Sequence, residues 1–209
     1  SDMMGSIRNP SAFCSVFGFR PSPGLIPSSP NLSGLPPLST LGAIARSTKC
    51  LTYLLDAQIG NFDSAKNNTF MFSKLIDQQP QKEIRLAWLG NLNGSYAYEQ
   101  GIETVCHKFL ERLQLKNVKI DEVSLKFPSS KLWESWTTLR SHALRFDLEE
   151  YYLNQETKVN LKPEIIWEIE KGTTLNNDSI EKALSYRRDW IEFLYSFFEK
   201  YDFFLLPSA

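Results

Sequence analysis

The sequence has 209 residues, of which 42% are hydrophobic and 22% are charged, as in one globular domain or a large part of one. Its formal net charge of -1, with both signs interspersed, provides no basic surface for nucleic acid or anionic lipid. No apolar run is long enough to span a membrane and no leader sequence is visible, so we expect a cytoplasmic protein. Three separated cysteines and two histidines favour neither a disulfide framework nor a zinc site, and we expect no metal.

The first stretch of chain, Ser1–Cys14, contains a candidate nucleophile, Ser6. An Asn-Pro pair follows it, and the pair predicts a short helix over residues 10–15, with Asn9 as the N-cap and Pro10 in the first turn. The first N–H groups of a helix have no intrahelical partner and can stabilise a developing oxyanion. From these residues alone, Ser6 is either a nucleophile or an ordinary turn residue.

The next segments are a short strand, a long loop and a helix. Val16–Arg20 predicts the strand, and the segment from Pro21 to Ser39, rich in Pro, Ser and Gly, predicts the loop. Ser47 is a good N-cap for a helix that ends at Gly60. The apolar face of this helix is expected to bury Leu51, Leu54, Leu55 and Ile59.

The middle of the chain predicts a strand, a helix and a second strand, which is the βαβ unit of a parallel sheet. The strands are Ile84–Leu89 and Val118–Val123, and a turn follows the first at residues 91–94. Ser95 is the expected cap of the helix between them. The helix has the most regular apolar spacing in the sequence, at Ile102, Val105, Cys106, Phe109, Leu110 and Leu113.

The remaining residues predict helices. A long one starts at Ser129 or Ser130, a short one runs from Pro163 to Gly172, and another starts at 178–181 and buries, among others, Ile191 and Phe198. The long helix carries a stripe of aromatic side chains. Such a stripe is usually part of a core, but apolar side chains also line ligand cavities, so these residues are candidates for a substrate pocket: Trp133, Trp136 and Phe146.

Four sequence blocks resemble the amidase signature family. Ser1–Cys14 is similar to the family's Gly-Ser/Thr-Asp-x-Gly-Gly-Ser-Ile-Arg-x-Pro-x-x-Phe-Cys-Gly, and Gly18–Pro27 to Gly-Leu-Lys-Pro-Thr-x-Gly-x-Val. Ser39–Ser47 is similar to Asp-Thr-Val-Gly-Pro-Met-Ala-Arg-Ser/Thr, and Tyr201–Ala209 to Tyr-Asp-x-Leu-Leu-x-Pro-Ser/Thr-Ala. The order of these blocks identifies the sequence as a member of this family.

The resemblance implies an active site in the first block. In the family pattern Ser6 attacks the substrate carbonyl, and the backbone N–H groups of Met3, Met4 and Gly5 form the oxyanion hole. Met4 departs from the pattern, which has Gly there, and a positive φ at this position would make Met costly.

The resemblance also implies supporting residues around the nucleophile. Ser1 falls where the family has a Ser or Thr that supports the active-site hydrogen bonds. Asp2 and Arg8 correspond to a buried polar pair that holds the loop. Ser15 replaces a usual Gly.

The family activates its serine with a lysine, relayed through a second serine that follows a cis peptide bond, and both precede the nucleophile loop. Because the sequence begins inside this motif, we expect the 209-residue polypeptide alone to be inactive. The implied reaction is hydrolysis of carboxylic amides, with aryl acylamides or esters as further candidates, through an acyl-enzyme and without a cofactor. The alternatives are a non-catalytic remnant or structural module of the fold, and an amidotransferase subunit that releases ammonia.

The expected fold is α/β, with a mixed, largely parallel sheet flanked by helices on both faces, as an incomplete amidase signature fold. We expect one partial domain over 1–209, with the signature core in 1–60, a connection in 61–81, and a βαβ and helical part in 82–209 that ends in a buried strand. Its expected partners are a small amide or ester and, for the missing sheet flanks, a second copy or a complementing chain. Neither nucleic acid nor a membrane is expected.

Overall fold

The computed structural model describes residues 1–28, 37–60, 71–78, 82–114 and 118–208. These residues form two compact units, one containing the described chain up to Lys82 together with Ser208, the other running from Glu83 to Pro207. Part of the predicted loop 21–39 and most of the predicted connection 61–81 lie outside the described residues. The single partial domain over 1–209 stays a prediction.

The first unit contains two short helices and a two-stranded antiparallel ribbon. Helix α1 covers Arg8–Phe13 and α2 covers Thr48–Ile59. Strands β1 (Phe17–Phe19) and β2 (Ala43–Ala45) pair with Gly18 opposite Ile44. The apolar core beneath them consists of Ile26, Ala43, Leu51 and Leu55.

Helix α2 begins and ends as predicted. The Ser47 side chain accepts a hydrogen bond from the N–H of Cys50 at 3.1 Å, and Gly60 closes the helix in a left-handed conformation with φ 84°. Leu51 and Leu55 are buried, but Leu54 is exposed, so the predicted apolar face was one residue too wide. The buried carboxylate of Asp56 accepts the N–H groups that open a 3₁₀ turn at Phe72–Lys74.

Helix α1 begins two residues earlier than predicted. Ile7 is the N-cap residue and makes no side-chain cap, while Asn9 lies inside the first turn. The reason lies just outside the helix, because the Asp2 carboxylate accepts the N–H groups of Ile7 and Arg8 and so replaces a side-chain cap from Ile7.

Ser15, at the end of α1, adopts a left-handed backbone conformation with φ 53°. A Cβ atom makes this conformation unfavourable by about 1–2 kcal/mol, which explains the Gly of the family pattern. We expect Ser15→Gly to stabilise the first unit by about 1 kcal/mol. Urea denaturation followed by far-UV circular dichroism would measure the gain. Ser15→Ala keeps the Cβ and should show no gain, and an equal gain in both variants would contradict this explanation.

The second unit contains a three-stranded parallel sheet, with strands β3 (Ile84–Trp88), β4 (Val118–Glu122) and β5 (Phe203–Leu205) in the order β4-β3-β5. Helix α3, Ile102–Gln114, connects β3 to β4, so the predicted βαβ unit is confirmed. The predicted α/β fold with a largely parallel sheet is confirmed: all described strands of this sheet are parallel, and the antiparallel ribbon of the first unit is a separate sheet.

The predicted cap of α3 was wrong. The helix begins well after Ser95, whose hydroxyl hydrogen-bonds that of Ser129 at 2.8 Å. Leu110 is buried, whereas Val105 is 68% exposed. The other large apolar side chains of this helix that are exposed are Ile102 and Phe109. Regular spacing identified an apolar face but not whether anything covers it.

Four helices complete the second unit, namely α4 (Ser129–Leu153), α5 (Gln155–Lys158), α6 (Pro163–Thr174) and α7 (Asn177–Lys200). Helix α6 begins at Pro163 as predicted but continues through Gly172, which is buried against the Ser141 carbonyl of α4. The N-cap of α7 is Asn176 instead of Asp178, because the Asn176 side chain accepts the N–H of Ser179 at 2.8 Å.

Buried polar contacts join these helices. Between α4 and α6, Arg140 Nε lies 2.7 Å from Glu168 Oε1, and the Ser141 hydroxyl donates to the other oxygen of the same carboxylate. Between α4 and α7, the Ser135 hydroxyl donates to the carbonyl of Ala183 at 2.7 Å. These bonds fix the register of the helical layer.

The final strand, β5, is less buried than predicted, because Phe203 is exposed and Phe204 and Leu205 are only half-buried. It is an outer strand of the described sheet. In α7, Ile191 and Phe198 are also exposed, contrary to prediction. No helix in the described ranges is long and apolar enough to cross a membrane.

Candidate active site

The Asp2 carboxylate organises the loop that contains Ser6. The backbone of Asp2 pairs with that of Thr40, with N···O distances of 2.8 and 3.1 Å, and the Asp2 side chain is completely buried. Oδ1 accepts the N–H of Gly5 at 2.8 Å, and Oδ2 accepts the N–H of Ile7 at 3.1 Å. The chain between Asp2 and α1 therefore wraps around one carboxylate.

Two arginines surround the same aspartate. Arg8 binds its carboxylate with both branches, Nε to Oδ2 at 3.0 Å and Nη2 to Oδ1 at 2.8 Å. Arg20 donates from Nε to the Asp2 carbonyl at 3.1 Å and from Nη2 to the carbonyl of Leu38 at 3.0 Å. The Arg8 guanidinium, helped by the three backbone N–H groups, holds the pKa of Asp2 well below its ordinary value, although burial opposes this shift. The carboxylate is thus a permanent negative charge at neutral pH.

Gly5 has a backbone conformation that strongly favours glycine. Its φ is +97°, and a Cβ atom at this position would lie 2.7 Å from Oδ1 of Asn9. Its N–H, which the resemblance places in the oxyanion hole, is donated to Asp2 in this structure. The predicted donor is therefore already bound to another acceptor.

Ser6 is exposed and lies between Gly5 and the first turn of α1. The N–H groups of Met4 and Ser6 have no hydrogen-bond partner among the residues that the structure describes. Met4 is exposed and does not have a positive φ, so its side chain does not strain the backbone. Ser1 is exposed beside this loop and Met3 is half-buried. An exposed hydroxyl beside N–H groups without partners supplies two of the groups that acyl transfer by serine uses, a nucleophile and oxyanion donors.

A family model described as "Amidase" matches residues 1–209. The chain belongs to the amidase family. The acylamidase of Rhodococcus erythropolis is 26% identical over 218 residues, which is 100% of this chain and 44% of that protein. A Glutamyl-tRNA(Gln) amidotransferase subunit from Exiguobacterium sibiricum is 26% identical over 192 residues, 90% of this chain and 36% of that protein.

Solved amidase-family structures share the fold. One, described as an amidase, has a TM-score of 0.70 at 22% identity over 92% of this chain and 40% of its own. A 6-aminohexanoate cyclic dimer hydrolase complexed with substrate has a TM-score of 0.71 at 15% identity over 95% and 43% of the two chains. This chain thus spans less than half the length of the relatives it matches.

The aromatic residues predicted for a substrate pocket lie on α4, in the second unit of this amidase-family chain. Trp133 is 63% exposed and stacks on the half-buried Trp136, with ring centroids 5.3 Å apart. Phe146 is exposed and packs against His142 at 4.9 Å. Their pocket role stays a prediction.

Thr40 is a site residue that the sequence did not single out, although it lies within the family-like block 39–47. It is 5% exposed, and its hydroxyl oxygen is buried with no hydrogen-bond partner among the described residues. An unpaired buried hydroxyl costs about 1–3 kcal/mol.

No group of His, Cys, Asp and Glu in the described part of the chain is arranged to hold a metal ion.

Proposed function

We propose that this chain supplies the nucleophile of an enzyme that hydrolyses carboxylic amides through an acyl-enzyme on Ser6. The observation that supports it most is an exposed serine placed directly after a glycine of φ +97°, in a loop held by a buried carboxylate. Membership of the amidase family is independent support. Oγ of Ser6 forms a bond to the substrate carbonyl carbon, and the carbonyl oxygen becomes an oxyanion.

The chain's own groups serve the two halves of this reaction. The N–H groups of Met4 and Ser6 are available to the oxyanion, and the Met3 and Gly5 N–H groups of the family pattern remain predicted donors. Asp2 and Arg8 hold the loop in shape. Collapse of the tetrahedral intermediate breaks the C–N bond, the amine leaves with a proton, and water then releases the acid from Ser6. In the family pattern the proton acceptor is a lysine that precedes the loop, relayed by a second serine.

The substrates we propose are carboxylic amides, with aryl acylamides and esters as the classes to test first. A relative named acylamidase supports an amide. An amidotransferase subunit is the second candidate, because five of the relatives carry that name, at 26–38% identity over 29–90% of this chain. Glutamine hydrolysis and stable co-purification with a partner protein would distinguish it from a free-standing amidase. We propose a cytoplasmic location for either.

The test is covalent labelling with a fluorophosphonate, read by intact mass and peptide mapping. We expect an adduct on Ser6 and none on Ser6→Ala, with matching circular dichroism for the two proteins. Labelling at Ser6 should be faster than at any other hydroxyl of the chain, because a serine that acts as a nucleophile is the more reactive one.

Ser15→Ala, which removes another exposed hydroxyl of the same unit, is the matched control and should be labelled at the wild-type rate. A folded wild-type chain that forms no adduct would favour the remaining alternative, a non-catalytic module of the amidase fold. An adduct on Ser6→Ala would remove Ser6 from its role.

A further inference from the structure

Two features of the nucleophile loop are unexplained by its resting hydrogen bonds. The N–H of Gly5 is donated to Asp2 Oδ1, although the family pattern places it in the oxyanion hole. The hydroxyl of Thr40 is buried and unpaired. The structure describes one other buried hydroxyl oxygen without a partner, that of Tyr98 in the second unit. The described buried polar side chains of the first unit other than Thr40 all have partners: Asp2, Ser11, Thr52 and Asp56. Thr40 is therefore an exception that requires a reason.

The position of Thr40 relates it directly to Asp2. The two residues exchange both backbone hydrogen bonds as an antiparallel bridge, at 2.8 and 3.1 Å. In such a pair the side chains lie on the same face, with Cβ atoms about 5 Å apart. A hydroxyl so placed can reach the neighbouring carboxylate by rotation about χ1.

We infer that Thr40 is a positioning residue, which replaces Gly5 as a hydrogen-bond donor to Asp2 when the Gly5 N–H turns toward the oxyanion. This inference rests on the proposed function. In the exchange, one hydrogen bond to Oδ1 breaks and the Thr40 O–H forms another, so the number of donors on the carboxylate is conserved. Gly5 is free to rotate because it has no Cβ.

The charge on Asp2 makes this exchange important. Its carboxylate is completely buried, so the loss of a donor without replacement leaves a buried charge less solvated. Arg8 remains on both oxygens throughout, and Arg20 Nε lies 4.0 Å from Oδ1. The Thr40 hydroxyl lowers the free energy of opening at Gly5 without changing the charge of the site.

Hydrogen exchange at the Gly5 amide tests the inference without using Ser6 reactivity. The variants are Thr40→Val, which keeps the shape but has no hydroxyl, and Thr40→Ser, which keeps the hydroxyl. We expect the Gly5 amide to exchange about tenfold more slowly in Thr40→Val than in wild type, because the replacement donor is gone. Thr40→Ser should restore the wild-type rate. The amide of Leu55 in α2 is the internal reference and should not change.

If the Thr40 hydroxyl only stabilises the resting loop, its removal should leave the exchange rate at the Gly5 amide unchanged or make it faster. If Thr40→Val exchanges at the wild-type rate or faster at Gly5, the inference is wrong. If Thr40→Val does not fold, Thr40→Ala compared with Thr40→Ser decides in the same way.

Labelling of Ser6 in the same variants separates the inference from the proposed function. Slower exchange at Gly5 in a chain whose Ser6 is never labelled supports the exchange of donors and counts against the nucleophile. Labelling of Ser6 together with an unchanged exchange rate at the Gly5 amide in Thr40→Val supports Ser6 as the nucleophile and contradicts the exchange of donors.

Discussion

Replacement of Asp2 by Asn is expected to lower the free energy of unfolding of the first unit by about 2 kcal/mol at pH 7, because backbone N–H groups around a buried side chain lose a charged acceptor. The variant leaves Arg8 without its buried counter-charge and presents an NH₂ group to donors that now bind a carboxylate oxygen. The N–H groups of Gly5 and Ile7 lose their strongest acceptor as well. The nucleophile loop should therefore lose its order before the rest of the unit does.

The effect of this substitution should depend on pH. Because the pKa of Asp2 is lowered in the folded protein, its carboxylate stabilises the fold fully above its unfolded pKa of about 3.9. As the pH falls from about 5 toward the lower folded value, this stabilisation is lost. The difference between wild type and Asp2→Asn should therefore be constant near neutral pH and shrink below about pH 4.

The measurement must report on the first unit. All five tryptophans lie in the second unit, so their fluorescence does not report on Asp2. Hydrogen exchange at the amides of α2 reports on the stability of the first unit. Urea titration followed by circular dichroism reports on the unfolding of both units together. Asp77→Asn, at an exposed aspartate of the same unit, is the control and should change stability by less than about 0.5 kcal/mol. Equal effects of the two substitutions would show that the Asp2 network does not hold the loop.

The elements that sequence predicted well are those with local signals. Ser47 and Gly60 fix the ends of α2 through contacts within a few residues, and the apolar strands Ile84–Trp88 and Val118–Glu122 flank a single helix. Such signals need no knowledge of the rest of the fold. The resemblance to the family predicted a functional role for the loop around Ser6, whereas local sequence propensity predicts only a turn there.

The elements that sequence predicted poorly depend on contacts from outside the element itself. The start of α1 is set by Asp2 from outside the helix, and the exposure of Val105 depends on what covers α3. In the site, the motif identified Asp2 and Arg8 as a pair. It could not show that Gly5 donates to Asp2, nor that the Thr40 hydroxyl, which a bridge from a distant part of the chain brings beside Asp2, is unpaired.

Gly172 shows the same limit and gives the second large effect. A glycine here predicts the end of a helix, yet Gly172 lies inside α6. A Cβ atom at this position would collide with the Ser141 carbonyl and with Cβ of Arg145. One of these atoms is a backbone oxygen of α4 and the other is a Cβ atom attached directly to its backbone. Neither can move aside unless the helix itself moves. Glycine is required for the close approach of the two helices.

Gly172→Ala is therefore expected to destabilise the second unit by about 2 kcal/mol. This is the net effect, because alanine favours helix by about 1 kcal/mol over glycine. Urea denaturation followed by tryptophan fluorescence measures it, since Trp136 on α4 and Trp167 on α6 belong to this pair of helices. Thr173→Ala, at the next and exposed position, should have little effect. A more stable Gly172→Ala variant would mean that helix propensity outweighs the contact and that α4 and α6 can separate without loss.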